Sequence, residues 1–129
     1  MSVRDKGLII DSLGHNVSFY TTGAGVTASA SIAPASALSR VMLTNVGWSI
    51  RNAGAAAYTA TLNVRDSSIN GSVRESWDMI VGVGASLQDS FQVNVKGLRG
   101  QALNVDFGPP AASVTAKVTA VGWEEKSNN

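Results

Sequence analysis

The chain has 129 residues, with ten lysines and arginines against nine acids, one histidine and no cysteine. Without cysteine it forms neither disulfides nor thiolate metal sites. A net charge of +1 lacks the cation excess that drives nucleic-acid binding. No apolar run approaches the roughly 20 residues that span a bilayer. We therefore expect neither nucleic acid nor membrane as a partner.

The length fits one domain, since domains most often have roughly 100–150 residues. No break in composition divides the chain, so we expect a single domain over residues 1–129. The apolar run from Leu8 to Ile10 follows three charged residues and is shorter than the core of an export signal. We expect a protein that is made and folded in the cytoplasm, with residues 1–12 as an extended N-terminal arm or an edge strand.

Only 15% of the residues are charged, against about 25% in typical soluble domains. Residues 12–39 contain no Asp, Glu, Lys or Arg. An uncharged stretch of small residues risks aggregation if its edge stays open, so another strand or another subunit must cover it. The composition favours a protein that packs against partners, as a homo-oligomer or within a larger assembly.

The first third of the chain predicts three strands, from apolar residues at every second position. They fall at residues 7–12, 15–21 and 26–32. Residues 38–52 alternate more strongly, but their phase changes midway. The apolar residues before the change are Val41 and Leu43, and those after it are Val46, Trp48 and Ile50. A β-bulge near Thr44 and Asn45 would place both sets on the core face.

Residues 56–65 and 71–81 predict the next two strands. The apolar residues of the second are Val73, Trp77, Met79 and Val81. We expect these four side chains to face the core, although Glu75 has the same parity. The pair Asn70-Gly71 predicts a hairpin turn between the two strands, since it readily takes the two positive φ angles of a type I′ turn.

Three more strands are predicted at residues 87–96, 103–107 and 114–120. Each is expected to have one solvent-exposed face, which carries Asn104 and Asp106 in the middle strand. Glu124 and Glu125 are expected at the surface after the last strand. Eight or nine strands separated by turn residues predict an all-β protein, an antiparallel two-sheet β-sandwich with jelly-roll-like topology.

The sequence indicates no catalytic, cofactor or metal site. His15, the single histidine, adjoins a predicted turn and is interpreted as a surface residue rather than a general base. The acids are scattered, with no evident pair of the kind that glycosidases use. Residues 66–71 resemble the start of a calcium loop, but Trp77 stands where the bidentate glutamate should follow.

The aromatic residues divide into two groups. Trp48, Tyr58 and Trp77 fall on predicted inward faces and are interpreted as core. Trp123 lies at a strand end, and Tyr20 has the parity opposite to Val17 and Phe19. Tyr20 and Trp123 are therefore the candidates for contact with a partner, and the alternative is that they pack in the core or at its rim.

Residues 38–124 carry a distinctive order of turns and strands. It consists of the segments 40–46 and 50–57, a Thr-rich strand ending at Asp66, the segment 100–105, and the closing strand from Val114 to Trp123. This order resembles the small β-sandwich structural proteins of tailed bacteriophages, which serve as capsid decoration (cement) proteins or as head-fibre and tail accessory modules. The resemblance covers about two thirds of the chain. It implies adhesion to a protein shell, usually as a homo-oligomer, with no catalytic residues.

The leading hypothesis is a phage virion protein that decorates the head, with the major capsid protein or other virion proteins as partners. The alternative is a tail or fibre module that binds carbohydrate or a host receptor, which requires Tyr20 or Trp123 in an exposed groove. An enzyme would need paired acids in a cleft or a base beside His15. We predict a non-enzymatic protein.

Overall fold

A computed structural model describes residues 15–21, 27–67, 70–109 and 111–125, without the side chains of residues 15–21. The strand predicted at 7–12 and the arm predicted at 1–12 lie outside these residues. Eight strands form within them. They are β1 (His15–Thr21), β2 (Ala28–Ile32), β3 (Arg40–Asn52), β4 (Tyr58–Asp66), β5 (Val73–Val81), β6 (Ser86–Lys96), β7 (Leu103–Gly108) and β8 (Val114–Glu125). In the described part of the chain, no helix is long and apolar enough to span a membrane.

The strands form two antiparallel sheets of four. The first sheet has the order β1-β8-β3-β6, and the second has the order β2-β7-β4-β5. β1 pairs with β8, β2 with β7, β3 with β6, and β4 with β5. This is the pairing of one long hairpin rolled into two layers, which is the jelly roll. The predicted antiparallel β-sandwich with jelly-roll-like topology is confirmed.

The core lies between the two sheets and consists mainly of β-branched and small residues. Such residues suit a pleated surface that packs against a second layer. The largest side chains that are fully buried are Phe107, Ile32, Leu43, Leu62 and Leu103. Each contributes about 1.5–3 kcal/mol through removal of its apolar surface from water.

The predicted phase change in β3 is a β-bulge at the expected position. Leu43 pairs with Gly122 of β8, whereas Asn45 pairs with Val121, so Thr44 is the extra residue. The Thr44 hydroxyl donates a hydrogen bond to the Val121 carbonyl at 3.1 Å. The bulge keeps the apolar residues on both sides of it in the core.

A second bulge, in β5, is absent from the sequence prediction. Val64 pairs with Glu75, but Arg65 pairs with Val73, so Arg74 is the extra residue. Val73 therefore shares the outer face with Arg65 and is 48% exposed. The prediction that Val73 faces the core was wrong, because it continued the alternation through the bulge.

The bulge can be tested with a matched pair of valines. Replacing Val73 with threonine is expected to change the free energy of unfolding by less than about 0.5 kcal/mol, as for most exposed positions. Val81→Thr, at a position with 0% exposure, should lower it by about 1–2 kcal/mol because the new hydroxyl is desolvated. Urea unfolding measures both changes. A larger loss for Val73→Thr than for Val81→Thr would contradict the bulged register.

The predicted solvent-exposed face of β7 was also wrong. Asn104 and Asp106 are only 4% and 3% exposed. β7 lies between β2 and β4, and polar side chains of both neighbours cover its outer face. Ser29 bonds to Asn104, while Asn63 and Arg65 bond to Asp106.

The predicted surface position of Glu124 was wrong too. Glu124 continues the core-facing parity of β8 and is 5% exposed. Its carboxylate accepts a hydrogen bond from the Ala35 backbone N–H at 2.8 Å. It thereby anchors the connection between β2 and β3 to β8. Glu125, on the opposite face, is partly exposed.

β4 and β5 form the predicted hairpin, but with a wider turn than Asn70-Gly71 suggests. Among the described turn residues, the positive φ of 73° belongs to Ser67. The N–H of Ser67 donates to the Ala102 carbonyl at 2.8 Å. The turn is thus held against the segment before β7 rather than closed as a two-residue type I′ turn.

Candidate protein-interaction surface

Trp123 lies on the outer face of the first sheet, near the end of β8. Its cross-strand neighbour on β3 is Met42, and Met42 in turn faces Lys96 on β6. Val121 precedes Trp123 on the same face, and all three apolar side chains are partly exposed. We call Met42, Val121 and Trp123 the Trp123 patch.

Charged residues border the Trp123 patch. Arg40 pairs with Glu125 across β3 and β8, with 3.0 Å between Arg40 Nε and Glu125 Oε1. Arg99 approaches the same carboxylate oxygen at 3.8 Å. An aromatic residue in a small apolar patch with a charged rim is typical of the energetic centre of a protein interface.

Tyr20 does not join this patch. The register places Tyr20 opposite Val118, whereas Trp123 is opposite His15. Those two positions of β8 are five residues apart, which corresponds to about 17 Å along the strand. Val118 is a core-face position and Trp123 an outer-face position. The two residues predicted to contact a partner therefore do not form one aromatic platform.

The middle of the same outer face is flat and uncharged. At its centre is Gly47 on β3, between Ser90 on β6 and Thr119 on β8. Beside it on this face are Asn45 on β3 and Gln92 on β6. We call these five residues the neutral face; the next outer position of β8, Lys117, is charged and lies opposite Ser49. Burying it against a flat partner would desolvate no ion, and ions are the costliest groups to desolvate.

Cations lie at the far end of the neutral face. A shallow hollow of about 520 Å³ is lined there by residues of β3, β6 and β8. Its charged residues are Arg51 and Lys117, and no acid contributes to its lining.

The outer face of the second sheet is organised differently, because its polar side chains bind one another. Arg65 Nε lies 2.7 Å from Asp106 Oδ2, and Asn63 donates to Asp106 Oδ1 at 3.2 Å. The Thr61 hydroxyl donates to Asp78 at 2.7 Å. Groups that are already paired lose hydrogen bonds when a ligand displaces them. A partner would therefore gain less from binding this face than from binding the neutral face.

The acids of the described strands are mostly engaged in the same way. Each of these acids except Glu75 accepts a hydrogen bond or forms an ion pair. Within residues 27–67, 70–109 and 111–125, no three acidic side chains converge as metal ligands would. His15 begins β1, but its side chain lies outside the described set.

The three aromatic residues assigned to the core do pack against it. The Trp48 and Phe107 ring centroids are 5.3 Å apart, and those of Trp77 and Phe91 are 4.9 Å apart. Desolvation by burial raises the pKa of the Tyr58 phenol above its usual value. These aromatics are thus committed to packing between the sheets.

The sequence pattern singles out Trp123 as a candidate contact residue, but it does not predict the neutral face. The signal was present: a glycine in the middle of β3 removes a side chain from the sheet surface. Alternation alone also marks Ser90 and Thr119 as outer-face residues of their strands. What the sequence does not reveal is that β8, β3 and β6 are neighbours in one sheet.

No protein-family model matches the chain, and no curated protein matches its sequence. Among solved structures, a Bacillus endospore appendage from a family of disulfide-linked pili is 13% identical, with a TM-score of 0.36 over 85% of this chain and 84% of that chain. Broad Bean Stain Virus gives 13% identity and a TM-score of 0.38, over 90% and 87%. The family 11 carbohydrate-binding module from Clostridium thermocellum gives 11% and 0.33, over 85% and 83%. The jelly-roll assignment rests on the strand order itself.

Proposed function

We propose that this chain is a non-enzymatic virion structural protein that decorates the outside of a phage head shell and stabilises it. The observation that carries the proposal is the contrast between the two outer faces of the sandwich. On the second sheet the outer polar side chains bind one another, whereas the outer face of the first sheet presents the neutral face and the Trp123 patch.

The virion setting follows from the resemblance of residues 38–124 to structural proteins of tailed phages. The major capsid protein is the proposed partner, and the protein would reach the virion after synthesis in the host cytoplasm. A flat outer face suits a broad shell surface. Many weak contacts, repeated over the shell, would sum to firm attachment.

Electron cryo-microscopy of virions with and without this protein tests the proposal. We expect regularly placed surface density that disappears when the protein is absent and returns when purified protein is added. Shells with identical surfaces in both preparations would contradict head decoration. Density confined to the tail or fibres would support the alternative module, which a glycan array would then examine.

Trp123→Ala is expected to weaken binding to isolated shells about tenfold or more, since truncating a central interface aromatic often costs about 2 kcal/mol. Co-sedimentation over a range of protein concentrations measures the affinity. Ile80→Ala is the matched control, because Ile80 is 71% exposed on the second sheet and should bind as the wild type does. Equal binding by both variants would exclude the Trp123 patch from the interface.

A further inference from the structure

Arg51 differs from every other arginine that the structure describes, because each of the others is paired with a carboxylate. The pairs are Arg40 with Glu125, Arg65 with Asp106, Arg74 with Asp66, and Arg99 with Glu125. Within the described part of the chain, the Arg51 guanidinium has no hydrogen bond and no ion pair. Its N–H donors therefore remain available for a partner.

Arg51 lines the shallow hollow on the outer face of the first sheet. It lies on β3 between Ser86 on β6 and Thr115 on β8. Among the described residues that line the hollow, every polar side chain has a hydrogen-bond donor and none is an acid. They are Ser49, Arg51, Ser86, Gln88, Thr115 and Lys117. A guanidinium surrounded by hydroxyl and amide donors suits an anion.

The backbone on either side of this hollow is fixed by buried groups. Asn52, which follows Arg51, is 1% exposed, and its side-chain amide donates to the Val81 carbonyl at 3.1 Å. The Asn52 N–H donates to the Ala85 carbonyl at 2.9 Å, and Ala85 directly precedes Ser86. The strands that carry Arg51 and Ser86 are thus held together, so their backbone needs little ordering when an anion binds.

We propose that Arg51 binds a carboxylate side chain of the shell protein in this hollow, with the Ser86 and Thr115 hydroxyls as further donors. A guanidinium holds a carboxylate through two parallel N–H···O bonds, and a protein shell supplies its anions as Asp and Glu side chains. Lys117 already has an interaction within the chain, so the contact is assigned to Arg51. The identity of the partner rests on the proposed function, whereas the anion site itself does not.

The contact would orient the protein on the shell. Arg51 shares the outer face of β3 with Gly47 and lies about 13 Å further along the strand, whereas the Trp123 patch is at the other end of that face. Between these ends, the neutral face has no charge that would fix its position on a flat partner. Charged contacts fix the register of an interface more than they raise its affinity. Arg51 would thus determine which way round the neutral face meets the shell.

Co-sedimentation with isolated shells tests the contact with two charge-matched variants. Arg51→Gln should weaken binding about tenfold, because the acid on the shell would be covered without its partner. Arg74→Gln removes the same charge from β5 in the second sheet and should bind as the wild type does. Equal affinities of the two variants would overturn the proposal.

Salt dependence and a conservative replacement separate a bidentate contact from a general effect of charge. Raising the ionic strength should weaken the binding of the wild type more than that of Arg51→Gln, since salt screens charge pairs. Arg51→Lys keeps the charge but not the planar fork, so its affinity should lie between those two. The same salt dependence in the wild type and Arg51→Gln would contradict the ion pair.

NMR titration of the isolated protein tests the anion site without shells. Glutarate, a small dicarboxylate, should shift the Arg51 Nε–H signal and the backbone amide signals of Ser86 and Thr115. Arg51→Gln should remove the shifts of both amides, and sodium chloride at the same ionic strength should not produce them. Inorganic phosphate is the second probe. Shifts with phosphate but none with glutarate would contradict a carboxylate site, and no shift with either would contradict an anion site.

These results separate the Arg51 contact from the decoration role. If the wild type binds shells but Arg51→Gln binds as tightly as Arg74→Gln, the Arg51 contact is wrong and the proposed function stands. If glutarate binds at Arg51 but the wild type does not bind shells, the anion site stands and the proposed function fails.

Discussion

Asp106→Ala is expected to lower the free energy of unfolding by about 3 kcal/mol. Removing one partner of a buried ion pair leaves the other charge desolvated without compensation, which commonly costs about 3–5 kcal/mol. Asp106 is the buried partner, with a side chain 5% exposed, whereas the Arg65 side chain is 23% exposed. Partial access of Arg65 to water places the expected loss at the lower end of that range.

Urea unfolding with a constant m-value measures this loss. Asp78→Ala is the matched control, because Asp78 is an exposed acid on the same outer face, bonded to the Thr61 hydroxyl. It should change stability by less than about 0.5 kcal/mol. The double variant Arg65→Met with Asp106→Leu should recover much of the loss, since an apolar pair leaves no buried charge. Equal effects of Asp106→Ala and Asp78→Ala would contradict the burial of this pair.

The jelly roll was predictable in its class and in several details. Alternation identified β4, β6 and β8, because one face of each packs on the core and the residues of that face recur with period two. The change of parity between Leu43 and Val46 located the bulge in β3, since one extra residue is the simplest way to keep both apolar sets inward. Strand order could not be derived, because spacing carries no information about which edges pair.

The failures share a physical origin: alternation separates the two faces of a strand but does not say what covers the outer one. Asn104 and Asp106 were placed in solvent, although the neighbouring strands β2 and β4 cover them. Glu124 lay on the core-facing parity, yet its charge suggested the surface. A charged residue can occupy that parity here because the Ala35 N–H donates to it. The conflict between Glu75 and its apolar neighbours was the one sequence signal of the bulge in β5.

The candidate surface was predictable only in part. Trp123 stood out as an aromatic residue at a strand end, and it lies on the outer face of the first sheet. Its neighbour Met42 is distant in sequence and meets it only through the pairing of β3 with β8. The partner contact itself stays a prediction for Trp123 and Tyr20.

Gly122→Ala is expected to destabilise the protein by about 3 kcal/mol. A Cβ at Gly122 would lie 2.5 Å from the Met42 carbonyl oxygen and 3.2 Å from Leu43 Cα. Both are backbone atoms of β3 beside the bulge, so no flexible side chain can move aside. Overpacking of a rigid site costs about 1–3 kcal/mol and sometimes more. The expected loss is at the upper end, because relief would require separating β3 from β8.

Gly47→Ala is the matched control in the same sheet. Its Cβ would lie 3.7 and 3.8 Å from the Cβ atoms of Ser90 and Thr119, which is ordinary van der Waals contact. Since glycine within a strand costs about 0.5–1 kcal/mol relative to alanine, this variant should be as stable as the wild type or slightly more so. Thermal and urea unfolding compare the two. If Gly122→Ala were tolerated as well as Gly47→Ala, β3 and β8 could not approach as closely as the bulged register requires, and the joint between the two strands would need a different geometry.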